Sequence, residues 1–158
     1  MKFEIKNRWN GEIIFSLETE SLKLCVEAAV KSRADLSGAY LYGADLTGAK
    51  NAELPQAQTS ITPEGSLIVW KKCLDGVIVK LRVPEEARRS NATGRKCRFE
   101  FVDVLEVIGA EVGISKHNQK TEYRTGQRVT CDKWDENRWN ECSGGIHAFL
   151  TRIEAENW

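Results

Sequence analysis

Apolar residues recur along this chain with three different steps, and each step predicts a different element. Lys2 to Ile5 alternates apolar with polar positions, the step of a half-exposed strand, and Glu12 to Leu17 reads as a second strand. The turn between them, Asn7 to Gly11, ends in Asn-Gly, which supplies the positive φ angles of a tight hairpin. From Leu22 the spacing changes. Leu22, Cys25, Val26, Ala29 and Val30 follow the i, i+3, i+4, i+7, i+8 pattern of one helical stripe. Ser21 stands where an N-cap is wanted, and Lys31 and Arg33 close the negative end of the helix dipole. The third step begins at once: Leu36, Leu41 and Leu46 recur every five residues, with Ala34, Ala39, Ala44 and Ala49 two places ahead of the same register. Neither helix nor strand gives a five-residue step, whereas a solenoid of stacked units does.

Asn51 to Glu64 carries two prolines and reads as a connector, which predicts a boundary between residues 1–54 and 55–158. Beyond it the pattern is β-rich. Leu67 to Lys72 and Val77 to Val83 flank Asp75-Gly76, a strong hairpin signal. Pro84 ends the second strand, and Glu85 to Arg89 reads as one helical turn with proline at its start. Arg98 to Ile108 predicts a strand, although Phe101, Val104, Leu105 and Ile108 also fit the helical step. Short strands are expected over 111–115, 121–124 and 127–130, then Ile146 to Leu150 after Ser143-Gly144-Gly145. Thr151 and Glu154 have the spacing of a capping box, opening a last helix from Arg152 to Trp158. The expected class is α+β: an N-terminal β-hairpin and helix, a short repeat turn, and a β-rich C-terminal domain with a terminal helix.

Composition narrows the function. Lys plus Arg equals Asp plus Glu at 23 each, so no global field favours nucleic acid or an anionic membrane. No stretch reaches the roughly 18 apolar residues of a membrane span. Met1 to Lys6 alternates and contains an acid, unlike a signal peptide, so a cytoplasmic protein is expected. The five cysteines are odd in number and widely spaced, without C-x-x-C, which favours free thiols. Cys131, Cys142 and His147 lack the close ligand pairing of structural zinc sites. No metal and no cofactor is expected.

The words Ala34-Asp35-Leu36-Ser37-Gly38, Ala39-Tyr40-Leu41-Tyr42-Gly43 and Ala44-Asp45-Leu46-Thr47-Gly48 resemble the pentapeptide-repeat family. That resemblance implies a short stretch of right-handed, four-sided β-helix with the leucines inside. Three words do not close one coil, and Asn51 stands where the next leucine would be. The short coil would dock on a second copy, so a homo-oligomer is expected. A second resemblance covers Trp70 to Trp158. Val83-Pro84 with Ala87-Arg88-Arg89-Ser90, Arg95 to Arg98, Tyr123 to Gly126, and the run Glu141 to Arg152 with Glu154-Ala155 are similar to an uncharacterised domain found C-terminal to pentapeptide repeats in phage and bacterial proteins. Members usually carry an aromatic where this chain has Ala148. The resemblance implies a phage or prophage origin, and host cytoplasm as the setting.

The densest charge lies between Lys80 and Arg98, with seven basic residues against Glu85 and Glu86. It reads either as a solvated basic face or as a site for an anion, because arginine forks and loop amides hold phosphate oxygens. On the second reading Arg88, Arg89, Ser90, Arg95 and Lys96 contact phosphates. Gly144 and Gly145 form an anion-binding turn that lets backbone approach the ligand, or else a plain turn. Tyr123 stacks on a base, with Trp134, Trp139 and Trp158 as alternatives. His147, expected to face away from Ile146 and Phe149, lines the pocket with Arg152. Catalysis by Cys142 or Glu141 with His147 rests on sequence proximity alone, and a binding protein is favoured over an enzyme. The expected function is sequestration of an anionic, nucleotide-like ligand such as a host immune signal. The alternatives are a protein–protein module working through Tyr40, Tyr42, Asp35 and Asp45, and a nucleotide-degrading enzyme.

Overall fold

A computed structural model describes every residue except Ala52. The chain divides into two units, Met1–Ile61 with Ala92–Gly94, and Thr62–Asn91 with Arg95–Trp158. The division thus falls at 61/62 beside the expected 54/55, with a three-residue excursion added to the first unit.

In the first unit, β1 (Lys2–Lys6) and β2 (Ile13–Glu18) pair antiparallel, and the Asn7 amide donates to the Glu12 carbonyl at 2.8 Å across the turn. Helix α1 (Leu22–Lys31) starts at Ser21, whose Oγ accepts from the Leu24 amide. Its stripe buries Cys25, Val26 and Ala29. The three repeat words then form three consecutive turns. The amides of Ala39, Ala44 and Ala49 donate to the carbonyls of Leu36, Leu41 and Leu46, each at 3.0 Å. Gly38, Gly43 and Gly48 take positive φ of 73°, 73° and 66°, which explains why each word ends in glycine. Leu36, Leu41 and Leu46 are buried, while Tyr40 and Tyr42 are exposed. Among the described residues no β-helix and no closed solenoid is found, and one isolated bridge, Asn7–Ala39, pairs the words with the chain leaving β1. Asn51, at φ 54°, turns the chain away before a fourth side is laid down. A helix that the connector reading missed follows, α2 (Glu53–Thr59). Pro55 fits because the first-turn amides of a helix have no intrahelical acceptor.

The second unit is built on one long rail. Strands β6 (Lys96–Phe99) and β7 (Phe101–Ile108) are separated only by Glu100, which keeps bonding through the bend: its amide donates to the Arg88 carbonyl and its carbonyl accepts from the Cys131 amide. The strand alternative for 98–108 is therefore the observed one. Along one edge of the rail run β4 (Ile78–Val83) and then β5 (Arg89–Ser90). Along the other run β10 (Arg128–Thr130) and then β11 (Ile146–Phe149). Strand β3 (Leu67–Lys72) pairs with both β4 and β11. The ring β3, β4, rail, β11 thereby closes, and the seven-stranded sheet is rolled into a small barrel with the strand bend at Glu100 as its corner.

Asp75 and Gly76 turn β3 into β4 at φ 53° and 75°, as the Asp-Gly signal required. Leu67, Val69, Val79, Leu81, Val83, Cys97, Phe99, Val102, Val104, Ile146 and Ala148 are all buried. Cross-strand partners such as Val69–Leu81, Ala148–Cys97 and Ile146–Phe99 share the inward face. The expected helical turn over Glu85–Arg89 is instead a non-helical bulge between β4 and β5, closed by the Ala87 amide on the Pro84 carbonyl. Strands β8 (Gly113–Ile114) and β9 (Glu122–Tyr123) form a separate pair. Helix α3 (Arg152–Glu156) begins at Thr151 with both capping-box bonds present. The chain is thus mixed α and β, with few helices and a β-rich sheet, and no helix of the described residues is long and apolar enough to cross a membrane.

Candidate functional site: a lysine-walled cleft

Strand β11 and the end of β3 open onto a cleft with two lobes. The polar lobe, about 300 Å³, takes Ser115, Asn118 and Thr121 from the β8–β9 region, Tyr123, Asp132, and Cys142 to Gly145. The lysine lobe, about 320 Å³, is walled by Lys71, Lys72, Lys96 and Lys116 with Phe149 and Trp158. Lys71, His117 and His147 border both.

The register explains how these groups meet. Lys71 sits opposite Val79 and continues the inward row of Leu67 and Val69, so it emerges at the barrel mouth. Its ammonium donates to the His147 carbonyl at 3.1 Å and lies 5.8 Å from the Tyr123 ring centroid. Burial pushes its pKa down, and Lys96 and Lys116 add to that effect. Lys96 is paired across the sheet with Phe149, and its Nζ lies over Trp158 at 4.8 Å and donates to Cys142 Sγ at 3.5 Å. Lys72 Nζ donates to the Glu156 carbonyl at 2.7 Å. Among the described residues none of the four lysines has a carboxylate ion-pair partner, and no carboxylate lines their lobe. Buried or clustered like charges without counter-charge are costly in a protein. A concave group of them is the arrangement expected of an anion site.

His147 accompanies them as a neutral ring. Its pKa is pushed down to about 4, by burial first and then by Lys96 and Lys71. Nε2 lies 3.1 Å from the Ser143 carbonyl, so Nε2 carries the proton and donates. The expectation that His147 faces away from both neighbours is half corrected. With a two-residue period it lies opposite Ile146 but on the same side as Phe149, and both line the lysine lobe.

The wall formed by residues 134–145 hangs on Arg98. This side chain is 1 % exposed, although it points away from the inward row of Cys97 and Phe99. Its guanidinium donates to the carbonyls of Gly144 at 2.6 Å, Asn137 at 2.8 Å and Asp135 at 3.1 Å. It lies over Trp134 at 5.2 Å. Asp135 in turn accepts from the Asn137 amide, Asn140 and Ser143, bonds that lower its carboxyl pKa to about 2. The two glycines are required here for the chain's own backbone. A Cβ on Gly144 would stand 2.2 Å from the Lys133 carbonyl oxygen, and Gly145 has φ 139°.

Of the residues singled out from sequence, Lys96, Tyr123, Gly144, Gly145 and His147 meet at the cleft. The arginines are engaged elsewhere. Arg88 pairs with Glu100 and Glu136. Arg89 donates to the carbonyls of Pro63, Gly65, Pro84 and Glu85. Arg95 pairs with Glu154 at 2.6 Å, and Arg152 with Glu156 at 2.6 Å. Ser90 is buried in β5. The basic run therefore does not gather into one phosphate cradle. Lys71, Lys72, Lys116 and His117 were not singled out. The only signal for them was their cationic character beside strand ends. Cys131, Cys142 and His147 border the polar lobe, but among the described residues no group of three such side chains is placed to hold a metal ion.

Residues 57–155 match the model of a family of unknown function (DUF5758). No pentapeptide-repeat family is detected. No curated protein and no solved structure matches the chain.

Proposed function

We propose that this chain, which belongs to that family of unknown function, is a binding protein that captures an anionic, nucleotide-like small molecule in the lysine-walled cleft. One observation carries the reading: four lysines converge on one concave lobe with no carboxylate to neutralise them. The adjoining polar lobe offers hydroxyl and amide groups and the Asp132 carboxylate, donors and acceptors suited to a nucleoside. The cleft residues from Lys71 to His147 all fall within the segment matched to the family. Capture rather than turnover fits the chemistry at hand. His147 is neutral with one nitrogen occupied by the Ser143 carbonyl, and among the described residues no carboxylate is hydrogen-bonded to its ring. In a phage setting such capture would remove a host signal.

Native mass spectrometry of gently purified protein tests the reading, and weighs the expected homo-oligomer at the same time. The expected result is a phosphorus-containing molecule of a few hundred daltons bound per chain, lost in Lys96→Ala/Lys116→Ala. Retention of the same molecule by that double variant would place the site elsewhere. A second reading has its own observation. Tyr40 and Tyr42 are 58 % and 61 % exposed and stacked at 6.2 Å, a pair suited to a protein interface.

A further inference from the structure

The lysine lobe carries more charge than a single phosphate can balance. Lys71, Lys72, Lys96 and Lys116 bring four ammonium groups to about 320 Å³. A monophosphate ester brings about two negative charges, and each further phosphate in a chain adds about one. Diesters of cyclic nucleotides bring only about one per phosphate. The lobe also lacks what a magnesium-bound phosphate chain would need. Magnesium is held by protein carboxylates together with phosphate oxygens, and none of the residues lining this lobe is a carboxylate. Lysines act as point charges toward phosphate and supply the neutralisation a metal would otherwise give. The lobe joins the polar one through Lys71 and His147, so an occupant can extend from one into the other.

Resting on the capture reading above, we infer that the ligand carries a terminal chain of at least two or three phosphates, bound metal-free by Lys71, Lys72, Lys96 and Lys116. The remainder of the ligand lies in the polar lobe. Magnesium then competes with the protein for the same phosphate oxygens. It antagonises binding, where it would assist a nucleotide hydrolase.

The test is calorimetric titration of the full chain with AMP, ATP and inorganic tripolyphosphate, each in EDTA and in excess magnesium chloride. Lys116→Ala is titrated in parallel. Lys116 suits this purpose because its side chain makes no hydrogen bond or ion pair among the described residues. ATP or tripolyphosphate is expected to bind in EDTA on the order of ten-fold or more tighter than AMP. Magnesium and Lys116→Ala should each weaken that binding about ten-fold, with the melting temperature of the variant unchanged. ATP tighter than tripolyphosphate assigns the polar lobe to a nucleoside; equal affinities make an inorganic oligophosphate the ligand chemistry. Equal binding of AMP and ATP, a requirement for magnesium, or unaltered binding by Lys116→Ala would overturn the inference while leaving nucleotide capture standing. Failure of all three probes to bind would overturn both.

Discussion

Replacing Arg98 by methionine should loosen the cleft before it unfolds the barrel. Methionine keeps an unbranched apolar stem for the packing against Trp134 and removes the three charged hydrogen bonds to the carbonyls of Asp135, Asn137 and Gly144. Hydrogen bonds to a charged group contribute roughly 1.5–3 kcal/mol each, so their gross loss is about 4.5–9 kcal/mol. Against this stands the cost of keeping a guanidinium 1 % exposed, which is several kcal/mol for a buried ion and shows in the downward shift that burial imposes on Arg98. The difference leaves a net loss of about 2–4 kcal/mol, a fall of roughly 10–20 °C in melting temperature for a unit of this size. Urea denaturation gives the stability, and hydrogen exchange gives its distribution. Amides of residues 134–145 should lose protection ahead of those in β3, β4 and β7, and ligand affinity should fall with them. A variant whose midpoint lies within about 0.5 kcal/mol of the parent, with unchanged exchange over 134–145, would refute the idea that Arg98 suspends this wall.

Three further outcomes follow from the same geometry. Gly144→Ala sets a methyl 2.2 Å from the Lys133 carbonyl oxygen, a backbone atom with little freedom to move, and should cost about 1–3 kcal/mol in urea midpoint; parent-like stability would contradict the close approach. Arg89→Ala removes the donor to the carbonyls of Pro63, Gly65, Pro84, Glu85 and Ala87 and should destabilise by roughly 2 kcal/mol without a selective effect on nucleotide binding, which calorimetry beside thermal melting will separate. His147 titrates near 6.5 when unfolded and near 4 when folded. Above pH 6.5 both states are neutral. As pH falls from 6.5 to 4 only the unfolded chain takes up the proton, so stability should decline by up to about 3 kcal/mol; His147→Gln should abolish that slope in a pH series of denaturant melts.

The local elements were legible because their causes are local. Ser21 caps α1, Thr151 and Glu154 close the box on α3, and Asp75-Gly76 supplies the two left-handed residues of the β3–β4 turn. Each depends on residues within a few positions of one another. The site was only partly legible because it is not local. Lys71, Lys96, Lys116 and His147 come together through barrel closure, which no periodicity announces. The run from Arg88 to Arg95 looked like an anion cradle because the sequence hides which carboxylates cross over to it. Glu100, Glu136 and Glu154 arrive from distant positions and neutralise Arg88 and Arg95. Arg98 belongs to the basic run that reads either as a solvated face or as an anion site. The 134–145 segment folds over it instead. Within the repeat words the five-residue step announced the buried Leu36, Leu41 and Leu46, whereas the coil implied by the resemblance is not found among the described residues.

The closure of the barrel also sets an order of events during synthesis. Strand β11 is the piece that joins β3 to the rail, and it lies some 75 residues downstream of β3. Until residues 146–149 have left the ribosome, β3 and β6 each present an unpaired edge, and such edges pair readily with other chains. The hairpin of β3 and β4 can form early, with β7 beside it, but the ring cannot shut and the lysine lobe cannot exist. Slow translation across residues 109–145 would prolong this open stage, and chaperones that shield strand edges should matter most for this protein in that interval.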